Sequence, residues 1–318
     1  MRKLIQIIPI LIFALVIGCV QEDEEPFNEA IERDDRILQD FFVSNSITPN
    51  DTQLGFYFEK TQTNDLGNQI VNGDIVGIYY EIRTLNNRVI DSYLDESRPP
   101  RLFVHGEGGT IPRVINFSAA FAKEGETLRV YAPSHLAYGK YNFQQLIQED
   151  ENLILKIKFA RVFDELEIRE KEDQEISDYL ISNELQDFDN LDSGLYLDIQ
   201  NEGLNEGPRA TVGKLVRITY SLTHLNDIEP IAQVTGSSNP FQVTIGESGN
   251  VAFLDEVLKN LSKEGEITAI IPSHLAFGAT TQVLPFQIRQ DLIDQGLLNQ
   301  AARPFEPLIF QAKVVEVR

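Results

Sequence analysis

Few side chains in this sequence could do chemistry, and they are scattered. The 318 residues include four histidines, His105, His135, His224 and His274, and a single cysteine, Cys19. The histidines have no metal-ligand spacing, so no metal site is expected. No Gly-x-Ser-x-Gly occurs, which removes a serine nucleophile elbow, and no convincing glycine loop for phosphate is present. Two features remain. Asp91 sits beside a strand of apolar character, where an acid either faces solvent or has a partner. The block Pro133-Ser134-His135-Leu136-Ala137-Tyr138-Gly139 returns as Pro272-Ser273-His274-Leu275-Ala276-Phe277-Gly278, 139 residues later. The two copies differ by one hydroxyl.

That block belongs to a longer repeat. Gly73-Asp74-Ile75-Val76-Gly77-Ile78-Tyr79-Tyr80 recurs as Gly213-Lys214-Leu215-Val216-Arg217-Ile218-Thr219-Tyr220, and Lys123-Glu124-Gly125-Glu126 as Lys263-Glu264-Gly265-Glu266, both at an offset of 140. A period this long gives each copy its own core rather than a solenoid. In the first copy, 75–82, 102–104, 127–132 and 153–162 read as strands, short and rich in β-branched and aromatic residues. Residues 117–123, with Phe117 and Phe121 four apart, read as a helix between them. The predicted class is α+β, two tandem domains each with a sheet laid across one short helix. A helical segment opens each copy: Ile37, Leu38, Phe41 and Phe42 form one face of the first, and 176–185 is the second. Near its end the second copy carries 16 residues that the first lacks. Ile288, Leu292 and Leu298 suggest an amphipathic helix within 287–302, expected over the mouth of that domain.

The N-terminus reads differently. Arg2 and Lys3 precede an apolar run, 4–17, too short to span a bilayer comfortably, and Gly18-Cys19 follows; this is the pattern of a signal peptide. Leu15-Val16-Ile17-Gly18-Cys19 also resembles a bacterial lipobox, whose cysteine is lipidated; the alternative is an ordinary secretory signal with an incidental cysteine. Without a second cysteine, no internal disulfide can form. Gln21-Glu22-Asp23-Glu24-Glu25 resembles the acidic export signal of Bacteroidota lipoproteins destined for the cell-surface side of the outer membrane, although acidic tethers are also simply solvated. The expected organisation is a signal peptide at 1–18, an acidic tether at 19–35, a first domain at 36–163, a charged linker at 164–175 and a second domain at 176–318. With 27 basic and 49 acidic residues the net charge is −22, a surface that repels nucleic acid and favours solubility.

The ordered series Gly73-Asp74, Tyr80, Ile90-Asp91-Ser92, Phe103-Val104-His105-Gly106, Ile111, Gly125-Glu126, 133–139 and Leu153-Ile154-Leu155 resembles an FKBP-type peptidyl-prolyl isomerase domain. The resemblance implies a curved antiparallel sheet wrapped around a short helix. It also implies an apolar cup for proline and no cofactor. In the first domain the resemblance assigns that cup to Tyr80, Ile90, Asp91, Phe103, Ile111, Val114, Tyr138 and Leu155. Tyr80 and Asp91 would pair at one wall, Tyr138 would offer its hydroxyl to the peptide, and the Ile111 N–H would hold a carbonyl. Taken singly, each apolar member is better read as plain core.

Departures qualify the match. The chain has no tryptophan; Val114 stands at the family's tryptophan floor, and Leu254 in the second copy. Ile90, Leu155 and Arg101 replace aromatics, so weak activity is the expectation. The second cup would consist of Tyr220, Phe241, Val251, Leu254, Phe277 and Phe310. It has Ile231-Ala232-Gln233 in place of the acid and Phe277 in place of the tyrosine, which implies inactivity. The leading expectation is therefore a lipid-anchored isomerase acting on proline-containing exported polypeptides. The alternatives are a non-catalytic interaction subunit of an outer-membrane protein complex and a carbohydrate-binding surface lipoprotein, the last with no aromatic platform behind it.

Overall fold

The computed structural model describes residues 25–107, 109–299 and 301–318. The apolar leader and Cys19 lie outside the described residues, and among those described no helix is long and apolar enough to cross a membrane. The first unit contains α1 (Glu25–Asn45), β1 (Asn50–Asp51), β2 (Tyr57–Gln62), β3 (Ile75–Thr84), β4 (Val89–Tyr93), β5 (Arg101–Val104), β6 (Thr110–Ile111), α2 (Val114–Ala119), β7 (Thr127–Ala132) and β8 (Leu153–Phe163). The second contains α3 (Glu165–Ser182), β9 (Asp189–Asn190), β10 (Tyr196–Asn201), β11 (Leu215–His224), β12 (Ala232–Val234), β13 (Phe241–Thr244), α4 (Ala252–Leu258), β14 (Glu266–Ile271), β15 (Gln282–Val283), α5 (Arg289–Asp294) and β16 (Leu308–Val317).

Both units have one topology. The first sheet runs β1-β2-β7-β8-β3-β4 with β5 also on β3; the second runs β9-β10-β14-β16-β11-β12 with β13 on β11. All pairs within these two sheets are antiparallel. The α+β expectation of two tandem copies holds. β3 is central because Ile, Val and Tyr suit a pleated surface covered on both faces. Its even-numbered side chains Val76, Ile78, Tyr80 and Ile82 enter the main cluster around α2, with Leu153, Leu155, Ile157 and Phe159 of β8. The strict alternation in β8 places these four on one face and Ile154 on the other. Each fully buried Leu, Ile or Phe there contributes about 1.5–3 kcal/mol.

The outer face of each sheet is covered by the helix that opens the unit. Leu38 and Phe42 of α1 pack on Tyr131 of β7, and the Phe42 and Tyr131 rings meet edge to face at 5.0 Å. Ile37, expected on the same apolar face, is exposed. In the second unit Ile176 packs against Tyr196, Leu225 and Ile270. Two element boundaries differ from expectation. The inner helix is Val114–Ala119 rather than 117–123; Phe117 and Phe121 still pack on the core. The opening helix of the second copy, expected at 176–185, is the 18-residue α3, Glu165–Ser182, which takes in most of the charged stretch 164–175 expected as a linker. A capping box starts it: the Asp164 side chain accepts from Glu167 N–H at 2.8 Å, and Glu167 accepts from Asp164 N–H at 3.1 Å. Asp164 and Glu167 are the sequence signature of such a start.

Because α3 is continuous, it joins the two units directly. Ile168 packs with Ile75, Leu102 and Val104 of the first unit and Phe305 of the second. The 16-residue excess of the second copy makes a further junction. It forms β15, a 3-10 turn at Phe286–Ile288, and α5. It does not cover the mouth of its own domain as expected. Val283, Leu284, Ile288, Leu292 and Leu298 instead lie in the apolar cluster of the first unit. β15 pairs in parallel with β6, Gln282 opposite Thr110 and Val283 opposite Ile111.

Candidate active site

Antiparallel pairing of β3 with β4 sets Ile82 opposite Asp91 and Tyr80 opposite Tyr93. Tyr80 and Asp91 are thus diagonal neighbours on one face, a separation that a long side chain can bridge. The Tyr80 hydroxyl donates to Asp91 Oδ2 at 2.6 Å, while Asp91 Oδ1 accepts from Ser92 N–H at 2.9 Å. Tyr80 is 3% exposed. Burial, reinforced by the Asp91 carboxylate, raises its phenol well above the ordinary tyrosine range, so it stays a donor at neutral pH.

Around this pair the fold gathers the rest of the expected set. Ile90, Phe103, Val114, Tyr138 and Leu155 all belong to the same buried cluster, with Ile111 packed against it. Val114, expected at the floor, opens α2, and Phe103 comes from β5. Tyr138 is delivered by the repeated block. There a 3-10 turn, Ser134–Leu136, is closed by Gly139, whose N–H donates to the Ser134 carbonyl at 2.8 Å. Gly139 has φ of +61° and Gly278 +53°, a backbone region that favours glycine, which explains why the block ends as it does in both copies.

The Tyr138 hydroxyl meets a main-chain carbonyl of the second domain. It donates to Leu284 O at 2.7 Å, and the Leu284 N–H donates to the Ile111 carbonyl at 2.8 Å. Pro285, the next residue, is buried. Beside them the Tyr141 hydroxyl donates to Asp291 Oδ2 at 2.7 Å. Burial raises both phenols; the Asp91 charge adds to the effect on Tyr138 and the Asp291 bond to that on Tyr141. Leu284 therefore lies in the cluster of the first cup with its carbonyl hydrogen-bonded to Tyr138, and a buried proline follows it. Tyr141 and this occupant were not foreseen. The only sequence trace is the apolar spacing of the insertion.

The second cup is different. Leu254 and Phe310 are buried in its cluster, with Tyr220, Val251 and Phe277 packed against them. Tyr220 lies 5.5 Å from the Phe241 ring and 5.7 Å from Phe310. Phe253, absent from the expected set, lies 5.1 Å from Phe310. Leu222 faces Ala232, so the register puts alanine where the first unit has Asp91. Phe241, opposite Ile218, stands where the first unit has Arg101 opposite Ile78 and is 41% exposed, whereas Val243, the counterpart of Phe103, is buried as Phe103 is. This cup is apolar, partly open to solvent, and lacks both the acid and the tyrosine hydroxyl of the first.

One further pair of residues positions the site. Asp34 of α1 is buried, and its Oδ2 accepts from Ser134 N–H at 2.8 Å and from the Ser134 hydroxyl. Glu172 of α3 does the same for Ser273, whose N–H donates at 2.8 Å. A carboxylate from each opening helix thus holds the turn that carries Tyr138 or Phe277. A signal existed: Asp34 precedes Leu38 by four residues, as Glu172 precedes Ile176.

The fold and cup together define a prolyl-isomerase-type domain, present twice. The profile described as FKBP-type peptidyl-prolyl cis-trans isomerase matches residues 67–160 and 207–315, more than half of the chain. The chain belongs to the FKBP-type peptidyl-prolyl cis-trans isomerase family. No curated protein matches it. Among solved structures, it is similar to the three FKBP domains of wheat FKBP73, at 14% identity and a TM-score of 0.32, covering 85% of this chain and 99% of that one. It is also similar to a peptidyl-prolyl cis-trans isomerase from Pseudomonas syringae pv. tomato, at 18% identity and a TM-score of 0.33, covering 46% and 94%. At such scores neither likeness bears weight, and the family rests on the profile.

Proposed function

We propose that the chain is a membrane-anchored prolyl isomerase assisting exported, proline-containing polypeptides, with catalysis in the first domain and a non-catalytic second cup. The observation that carries this reading is the Tyr138 hydroxyl on the carbonyl of Leu284, the residue before a buried proline. Rotation about a peptide bond faces a barrier of ~18–20 kcal/mol from amide resonance. A catalyst lowers it by binding the twisted amide better than either planar form. The first cup has the parts for this: an apolar enclosure that excludes water, a phenol donor at the carbonyl, and Tyr80 fixed by Asp91. No bond is made or broken, so no nucleophile or cofactor is called for. The missing acid and hydroxyl leave the second cup without the two polar groups that the first offers a peptide. Anchoring rests on Cys19 and the apolar run before it; the acidic residues after it favour the cell-surface side of the outer membrane.

A second reading, an interaction subunit within an outer-membrane complex, draws support from the first cup being filled by the chain itself. A protease-free isomerisation assay on the detergent-solubilised chain separates the two. Turnover that falls in Asp91→Ala and in Tyr138→Phe supports catalysis in the first domain. If folded wild type and a Leu284→Asp chain both show no turnover above background, the catalytic reading gives way to the interaction subunit. Palmitate labelling that survives Cys19→Ala would refute the anchor.

A further inference from the structure

We infer that the insertion of the second domain is a tethered plug that competes with external proline segments for the first cup. The inference rests on the proposed reading of that cup as a proline site and adds its regulation. Three observations carry it.

First, the plug uses the site's own groups. Leu284 bonds the Tyr138 hydroxyl, a group expected to hold a substrate backbone, and the carbonyl rather than the expected N–H of Ile111; the β15–β6 ladder continues those bonds outward, Gln282 N–H reaching the Gly109 carbonyl at 3.2 Å. Any peptide using the same carbonyl and hydroxyl must displace it. Secondly, the insertion is fastened at its neck by its own side chains. Buried Arg289 donates to the carbonyls of Ala301 and Thr281, each at 2.9 Å, and of Ala302, and the Thr280 hydroxyl also donates to Ala302 O at 2.8 Å. The neck joins the two ends of the loop within the second domain. The loop can therefore keep its form while its tip leaves the first. Thirdly, the two cups contrast. The plugged cup has Tyr80 and Tyr138 buried; the second, with no such cover, leaves their counterparts Tyr220 and Phe277 half-buried.

Tethering sets the size of the effect. A segment held near its site acts at an effective concentration on the order of millimolar. If the free segment bound at about 0.1 mM, an external peptide would be weakened roughly tenfold. The contact would restrict the cup to polypeptides that present several proline segments or bind elsewhere on the protein as well.

The test is binding, read apart from turnover. A fluorescent peptide containing Leu-Pro is titrated into the detergent-solubilised wild type and into Leu284→Asp, which puts a charge into the apolar cup. The expected result is at least tenfold tighter binding to the variant. Should the variant fail to fold, Thr110→Cys/Gln282→Cys provides a second arm, because these positions face each other across the β15–β6 pair. Oxidised, the chain should bind at least tenfold more weakly than after reduction. Equal affinity in both comparisons, or no binding in any form, overturns the plug. A Leu284→Asp chain that binds tightly but does not turn over peptide establishes the plug and sinks the isomerase reading instead.

Discussion

Asp34→Ala should destabilise the first domain by about 2–4 kcal/mol. Asp34 is buried, and its Oδ2 accepts from both the N–H and the hydroxyl of Ser134. Hydrogen bonds to a charged group contribute about 1.5–3 kcal/mol each. The loss is less than the full sum because Ser134 N–H also reaches Asn152 Oδ1 at 2.9 Å, so this donor keeps an acceptor. The Arg33 ion pair adds little, since Arg33 is substantially exposed. Urea unfolding followed by far-UV circular dichroism measures the total, and hydrogen exchange by mass spectrometry locates it in the first domain. The sharper quantity is the coupling in a double-mutant cycle of Asp34→Ala with Ser134→Ala, expected at about 1–3 kcal/mol. Tyr138 lies four residues beyond Ser134, so exchange should also quicken through 134–141. A coupling below about 0.5 kcal/mol, with no change in exchange there, would refute the claim that the opening helix positions the site.

Two predictions concern pH. His224 is buried, and burial, then the Arg303 charge, lowers its pKa from 6.5 to about 4; its Nε2 accepts from Arg303 N–H at 3.0 Å. A depressed folded value means that its contribution is complete above about pH 6.5 and is lost as pH falls through about 4. At 1.36 kcal/mol per unit this amounts to ~3 kcal/mol. His224→Gln should flatten that part of the acid limb in urea titrations at pH 6.5, 5 and 4; parallel curves would exclude the assignment. Glu172 is the opposite case: burial raises its pKa against the bonds from Ser273, so the fold favours the protonated acid and loses stability as pH rises through the raised value. The melting temperature of Glu172→Gln relative to wild type should therefore increase from pH 4 to pH 7, and a constant or shrinking difference would contradict it.

Much of the fold was legible because its signals are local. The repeated blocks identified two copies, alternation in 153–162 and β-branched runs located the central strands, and a glycine at the end of each 133–139-type block marked a tight turn. The Tyr80, Asp91 and Tyr138 set followed from resemblance. The Asp164 and Glu167 pair could have identified α3, but a density of charge outweighed it: α3 is held by contacts on two sides, at Ile168 and Ile176, that no local pattern reveals. The shift of the inner helix to Val114–Ala119 has the same origin, since the sheet wrapped around it decides which turn is buried.

By itself, the sequence determined the composition of each cup: which residues are apolar, which copy retains an acid and a tyrosine hydroxyl, and that the second copy carries extra residues. Only the tertiary structure decided where those extra residues go. Spacing in a sequence specifies that Ile288, Leu292 and Leu298 must be buried, but not against what, because apolar burial is non-directional and favours whichever surface is available. The surface available was the cup of the other domain, brought within reach by a continuous α3 and registered by two residues of parallel strand.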